Sequence, residues 1–328
     1  MNYRRFGNTE LMVSQVGFGC WAIGGGAKVG DVPIGWANTS DEDSMAAIKT
    51  ALDIGINFFD TADFYGLGHS EELLGKVLAG QKAIIATKVG HRNLSGKIVL
   101  DYSYPYIVQA CEKSLERLRV ETIDYYQLHS ARLQHLQQGE CIEAMEKLKQ
   151  DGKIRYWGLS LNTFQPAPEA QFLINNHLGD GLQLVLNLIN RRAVSLLEPA
   201  SRAGFGLIAR MPLQFGLLTG KFSGGTKFEN DDHRSFRLTE GVIEQATEVL
   251  DKYAWPSAVE LGMSKTAFAL NFILHYPAIS TTIPGMKNVH QVRINTEDIR
   301  SIDPAVIERL SASNTTFETL LEEIEKLG

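Results

Sequence analysis

Residues 55–75 read GINFFDTADFYGLGHSEELLG. The run Asn57-Phe58-Phe59 predicts a short buried strand ending on an acid, Asp60, and the loop beyond it carries a tyrosine, Tyr65. Gly66 and Gly68 mark that loop. Ser70, Glu71 and Glu72 then supply a capping hydroxyl and first-turn carboxylates suited to the positive end of a helix dipole, so a helix is expected over Glu71–Leu78. Strand, loop and helix in that order make one βα unit, with Asp60 and Tyr65 together at its rim. Taken by itself the stretch fits two accounts: a carboxylate and a phenol arranged for acid–base chemistry, or a turn-capping aspartate beside a half-buried aromatic. The surrounding chain decides between them.

The same unit recurs on both sides. Upstream, YRRFGNTELMV holds Gly7-Asn8 between two short β-like runs and predicts a hairpin that forms a lid on one end of the fold. Val16–Trp21 predicts a buried strand, Ala22–Gly35 a glycine-rich loop, and Ser40-Asp41 the cap of a helix over Asp43–Leu52. Downstream, strands at Ala83–Val89, Ile123–His129 and Ile154–Leu161 precede helices over Tyr106–Leu118, Glu140–Gln150 and near Glu169–Asn176. Leu182–Leu188 precedes a helix near Ser195–Ala203, and Leu207–Met211 precedes a long loop and the Thr239–Leu261 region. Ser280–Pro284 precedes a helix over Val289–Asn295, and the closing FETLLEEIEKLG reads as an amphipathic, acidic surface helix. Eight short apolar strands alternating with helices, without a linker, predict one α/β domain over residues 1–328: a (β/α)8 TIM barrel with an N-terminal β-hairpin lid. A doubly wound sheet is disfavoured because no GxGxxG follows a strand and opens a helix.

Composition narrows the partners. A chain of 328 residues with 44% hydrophobic and 21% charged content can bury a core of that size. Its 32 Lys and Arg against 38 Asp and Glu give a net charge of −6, whereas a nucleic-acid surface needs a concentrated basic face. Cys20, Cys111 and Cys141 lack CxxC spacing, so neither a disulfide framework nor a metal site is expected, and a reducing cytoplasm is. The amino terminus lacks a signal-peptide core and no later stretch is apolar enough to span a bilayer, so a membrane is not expected. A small-molecule partner remains.

In a barrel of this kind active sites gather at the C-terminal ends of the strands. Asp60 closes the second strand there, Tyr65 follows in its loop, Lys88 closes the third and His129 the fourth. A lysine at the inner end of an apolar strand is costly unless a carboxylate pairs with it, and Asp60 on the adjacent strand is the expected partner. A cation so held beside a phenol is expected to lower the Tyr65 pKa, making it a usable proton donor and acceptor, and His129 is placed to hydrogen-bond a substrate oxygen.

At these residues the chain resembles the aldo-keto reductases. NFFDTADFYGLGHSEELLG is similar to the family's DTAxxYGxxxSExxxG signature. GFGCW (17–21) resembles its first strand, ATK (86–88) and QLH (127–129) its lysine and histidine motifs, and KIRYWGLS (153–160) its fifth strand. PLQFGLLTGKF (212–222) resembles its seventh-strand loop and IPGMKNVHQVRIN (283–295) its nucleotide-gripping segment. The resemblance implies a catalytic tetrad of Asp60, Tyr65, Lys88 and His129. It also implies hydride transfer from NADPH (NADP+ in the reverse direction) to the carbonyl of a small aldehyde, ketone or sugar, with Tyr65 as general acid and no metal.

The resemblance further implies a cofactor cleft beginning at Gly19, Trp21 and Asp60. Ser160 and Gln183 match the residues that hold the nicotinamide amide; Leu161 stands where the family has Asn, and Asn162, one residue late, reaches the ring if the strand stays extended. Arg210, before Pro212 and Leu213, stands where many members carry an aromatic residue, and places the chain in a bacterial branch with Arg there. The loop from Gln214 to Arg237 is expected to strap the pyrophosphate with Gly216, Leu218, Gly220, Lys221 and Arg234. Gly285, Lys287, Gln291 and Asn295 are expected on the adenosine side, with Lys287 at a 2′-phosphate. Trp21, Phe64 and Tyr65 are expected to line the substrate pocket. The alternative within this superfamily is a cofactor-sensing regulatory subunit with little turnover, as the potassium-channel β subunits illustrate.

Overall fold

The computed structural model describes residues 1–36, 39–229, 232 and 234–327. Two antiparallel strands come first, β1 (Tyr3–Arg5) and β2 (Met12–Ser14), then β3 (Phe18–Gly19). A second hairpin, β4 (Gly26–Val29) and β5 (Val32–Gly35), precedes α1 (Asp41–Asp53). Next come β6 (Phe58–Asp60), α2 (His69–Leu78) and β7 (Ile84–Val89). A third hairpin, β8 (His91–Leu94) and β9 (Lys97–Leu100), leads into α3 (Tyr104–Leu118). The chain continues through β10 (Ile123–His129), α4 (Leu133–Gln138), α5 (Glu140–Gln150), β11 (Ile154–Ser160), α6 (Ala167–Asn176), β12 (Gly181–Val185), α7 (Val194–Arg202) and β13 (Gly206–Arg210). Helices α8 (Glu240–Tyr253), α9 (Trp255–Glu260) and α10 (Lys265–Leu274) precede β14 (Ile279–Thr282). Then follow α11 (Val289–Thr296), α12 (Pro304–Ala312) and α13 (Asn314–Glu325). No helix among the described residues is long and apolar enough to cross a membrane.

Eight parallel strands, β3, β6, β7, β10, β11, β12, β13 and β14, form one sheet in that order. Parallel bridges Val16 to Thr282 and Gly19 to Gly285 join its two ends, with Gly17 N–H donating to the Thr282 carbonyl at 2.8 Å. The expected barrel is therefore present. Its inward positions follow the two-residue period of a strand: Phe58 then Asp60, Ala86 then Lys88, Tyr125 then Gln127, Ile208 then Arg210. The lower members form an apolar plug with Phe6 from the N-terminal hairpin. Phe6 meets Tyr125 edge-on at 4.9 Å, and it fits only because strands β12 and β13 begin with glycine: a Cβ on Gly206 would lie 2.5 Å from its ring. The hairpin lid thus closes the end opposite the polar layer. A larger apolar cluster fills the space between the sheet's outer face and the helices.

Some expected elements differ. Residues 22–35, read as a loop, form a short 3-10 turn and the β4–β5 hairpin; its strands hold too few apolar residues for a clear period. The strand expected over Leu182–Leu188 stops at Val185, because the Asn187 side chain accepts from the backbone of Ile189 and Asn190 and turns the chain. The β8–β9 hairpin and α10 are additions. Helix α10 gives no amphipathic period because residues 266–274 are buried all round. Helix α13 is amphipathic as expected, with Phe317, Leu320, Leu321 and Ile324 buried.

Candidate active site

The polar layer sits on top of the plug, at the C-terminal ends of the strands. Lys88 is fully buried. Its ammonium donates to Asp60 Oδ1 at 2.6 Å, to the Thr61 carbonyl at 2.8 Å and to Tyr65 Oη at 3.1 Å, which uses all three of its protons. Asp60 is matched in turn, its Oδ2 accepting from Gln127 Nε2 at 3.0 Å and Gln183 Nε2 at 2.7 Å. Burying this pair is tolerable because both carboxylate oxygens and all three ammonium protons have partners. Tyr65 is brought to the layer by close contact of two loops: a Cβ on Gly66 would lie 2.1 Å from the Gly24 carbonyl oxygen. Trp21 packs edge-on to the Tyr65 ring at 4.8 Å, and His129 lies 6.0 Å from it, centroid to centroid.

These surroundings set the protonation states. Burial pushes Lys88 down, but Asp60 and Tyr65 more than offset it, and its pKa rises above the ordinary lysine value. Tyr65 corrects the expectation from sequence. Burial raises its pKa more than Lys88 and Arg210 lower it, so the hydroxyl is a weaker acid than free tyrosine and stays protonated at neutral pH. Burial, then His91, Lys88 and Arg210, depress His129 well below the ordinary value, which leaves a neutral imidazole. Because Tyr65 Oη accepts from Lys88, its own O–H is available to the cleft.

That cleft has a volume of about 910 Å³. Asp60, Tyr65 and His129 line it, with Lys88 directly behind, and the tetrad is brought together as expected. Gly19, Trp21, Ser160, Gln183, Arg210, Pro212, Leu213 and Gly216 line the same cleft, as do Lys221, Gly285, Lys287, Gln291 and Asn295. Arg210 donates to the Leu161 carbonyl and Thr163 Oγ1, while its buried Nε has no partner among the described residues. Gln183 has a role beyond the expected one, since its amide N–H holds Asp60 and its carbonyl faces Ser160 Oγ at 3.4 Å. At the far end Gln291 Oε1 accepts from the Lys287 backbone at 2.8 Å, and Asn288 caps helix α11 through Gln291 N–H.

Four expected residues lie elsewhere. Strand β11 ends at Ser160, and Asn162 turns its Oδ1 onto the backbone N–H groups of Phe164 and Gln165, capping a turn instead of entering the cleft. Leu218 is buried in the apolar core, and Gly220 terminates a 3-10 segment in the left-handed region (φ 70°) against the Lys265 stem. Arg234 forms an ion pair with Asp232 and stacks over Trp36 at 4.2 Å and Phe228 at 4.6 Å. The long loop therefore does reach across to a cleft-lining residue, Trp36, but Arg234 serves as its fastening. The cleft also contains His91, Phe215, Arg237 and His290, which motif reading missed. His91 stands three residues beyond Lys88 and was hidden by the unforeseen β8–β9 hairpin.

The site is thus a tyrosine supported by Lys88 and Asp60 beside a neutral histidine, at the C-terminal rim of a parallel (β/α)8 barrel. The aldo/keto reductase family model matches residues 15–314, and the chain belongs to that family. It is 30% identical over 301 residues to the uncharacterized oxidoreductase YqkF of Bacillus subtilis, covering 90% of each chain. It is 28% identical to L-galactose dehydrogenase of Arabidopsis thaliana, over 99% of this chain and 95% of the relative. Among solved structures, the glycerol dehydrogenase AKR11B4 of Gluconobacter oxydans superposes with a TM-score of 0.78 at 31% identity, over 95% of this chain and 94% of that one. Family membership makes the protein an oxidoreductase of the kind that uses a nicotinamide cofactor on small carbonyl compounds.

Proposed function

We propose that the protein is an NADPH-dependent reductase of small aldehydes, ketones or sugars, with Tyr65 as the general acid. The observation that carries this reading is the hydrogen-bond order at Tyr65: Lys88 donates to its oxygen, so the phenolic proton can only be offered outward into the cleft. His129, neutral and alongside, orients the carbonyl oxygen. As charge develops on that oxygen, Tyr65 transfers its proton and the adjacent Lys88 ammonium stabilises the phenolate left behind.

The cleft fits the cofactor that the family implies. Its volume suits a dinucleotide, the Arg210 Nε is a buried polar atom in its lining with no hydrogen-bond partner among the described residues, and Lys221 and Lys287 add cationic side chains to the same lining. Bound there, a reduced nicotinamide supplies the hydride. Ser160, Gln183 and Arg210 would flank the ring, Lys221 the pyrophosphate, and Lys287 with Gln291 and Asn295 the adenosine. A charge-assisted contact from Lys287 to a 2′-phosphate favours NADPH over NADH. The reducing cytoplasm suits the three buried free cysteines.

Tyr65→Phe removes one hydroxyl and leaves the ring in place. It should abolish aldehyde-dependent NADPH oxidation while the dissociation constant for NADPH, read by fluorescence quenching, stays within a few-fold of wild type. Retained turnover would reject Tyr65 as the acid, and tight NADPH binding by a wild type inert to all carbonyls would favour the regulatory reading.

A further inference from the structure

The cleft holds a second imidazole that the mechanism above does not use. Strand β7 ends at Val89, and Gly90 (φ 135°) packs so tightly on Tyr102 that a Cβ there would lie 2.2 Å from the ring; the chain bends and delivers His91 to the cleft wall. The same Tyr102 donates its hydroxyl to the His129 carbonyl at 2.5 Å, so one residue fixes both histidines. Their ring centroids are 4.2 Å apart with planes inclined at 49°, and Phe64 backs His91 edge-on at 5.4 Å. Among the described residues the His91 side chain makes no hydrogen bond, although it is half-buried. Burial and the Lys88 charge push its pKa to about 4, so the ring is neutral and offers one N–H and one lone pair. A half-buried ring with unmet hydrogen-bonding capacity, facing the cleft, is placed to meet a ligand.

We propose that His91 is a specificity-determining residue that, beside His129, binds the second oxygen of substrates carrying a hydroxyl on the carbon next to the carbonyl. This rests on the carbonyl-reductase reading of the site. Oxygens on adjacent carbons lie close enough to be shared between two neighbouring imidazoles, one holding the carbonyl and the other the hydroxyl. Trp21, Phe64, Ile34 and Ile98 make the neighbouring wall apolar, so the same pocket offers little to hydroxyls further along a chain. The substrate class is thus the short 2-hydroxy aldehydes and ketones.

The test compares 2-hydroxypropanal with propanal, which differ by the hydroxyl alone, in wild type, His91→Phe and His91→Asn, with NADPH binding measured as a check on folding. Wild type should show a kcat/KM for the hydroxy aldehyde higher by roughly tenfold or more. His91→Phe keeps the ring packing and should erase that preference, the ratio of the two kcat/KM values falling to about one whatever the effect on propanal alone; His91→Asn, which restores a donor and an acceptor, should recover part of it. A wild type that reduces both aldehydes equally, a preference that survives His91→Phe, or an equal loss on both substrates overturns the role of His91 and leaves the reductase reading standing. Turnover of neither aldehyde by wild type overturns both together.

Discussion

Lys88→Met separates the structural from the chemical role of the buried ion pair. The ammonium makes three hydrogen bonds, to Asp60 at 2.6 Å, the Thr61 carbonyl at 2.8 Å and Tyr65 at 3.1 Å, and is fully buried. Methionine fills similar space but leaves Asp60 a buried carboxylate held only by Gln127 and Gln183. Breaking a buried pair from one side costs about 3–5 kcal/mol, most of it the penalty of the orphaned charge. The double variant Lys88→Met with Asp60→Asn removes that charge as well, so it should recover most of the lost stability, and the urea midpoints of the four proteins measure the coupling. Activity should not recover. Lys88 lowers the Tyr65 pKa both by charge and by hydrogen bond, so its loss raises that pKa further. Loss of a positioned acid–base group typically costs about 10²–10⁴-fold in rate, and the rising limb of alcohol oxidation, which needs the phenolate, should move to higher pH. A double variant that regains both stability and activity, or a pH profile indifferent to Lys88, would refute the chemical role and leave the pair structural.

Two further predictions follow from the same geometry. Lys287→Ala should weaken NADPH binding by roughly ten- to a hundredfold and leave NADH nearly unchanged, since a charge-assisted contact is worth about 1.5–3 kcal/mol; equal losses for both cofactors in fluorescence titrations would remove it from a 2′-phosphate site. Acid should destabilise the fold through His91: its folded pKa of about 4 lies below the ordinary 6.5, so stability is complete above 6.5 and is lost as pH falls towards 4, because the unfolded state binds more protons there. The slope is about 1.4 kcal/mol per pH unit at most, and His91→Phe should flatten the urea midpoint against pH over that window.

The barrel and the gathering of Asp60, Tyr65, Lys88 and His129 at its rim were legible because each depends on short-range pattern. Strand ends carry the polar residue two positions beyond an apolar one, as in Phe58 to Asp60 and Ala86 to Lys88, and that parity alone puts both side chains inside. Asn162 shows where the rule stops. Parity placed it beside Ser160, but parity holds only while the strand lasts, and an Asn two residues past a strand end has a competing use in capping a turn. Arg234 lies away from the cleft lining for a related reason: in a long loop, sequence spacing does not fix direction, and here Asp232, Trp36 and Phe228 hold the guanidinium. His91 was missed because a two-stranded insertion with exposed Leu94, Ile98 and Leu100 gives no clean alternation from which to infer it.

The sign of the Tyr65 shift joins these levels. From sequence, a lysine beside a phenol implied a lowered pKa; in the fold the Tyr65 hydroxyl is also withdrawn from solvent, and Lys88 lies between it and Asp60, bonded to both. Burial and the Asp60 charge both act against the phenolate, and they outweigh Lys88 and Arg210. A tyrosine so held keeps its proton until charge appears on a substrate oxygen beside it. On the proposed mechanism Lys88 contributes at the phenolate formed in transfer, rather than by ionising the residue beforehand. The Asp60 pairing that makes a buried lysine tolerable thus also restrains Tyr65 from premature ionisation, which is why Asp60→Asn should move the Tyr65 pKa downward while Lys88→Met moves it upward.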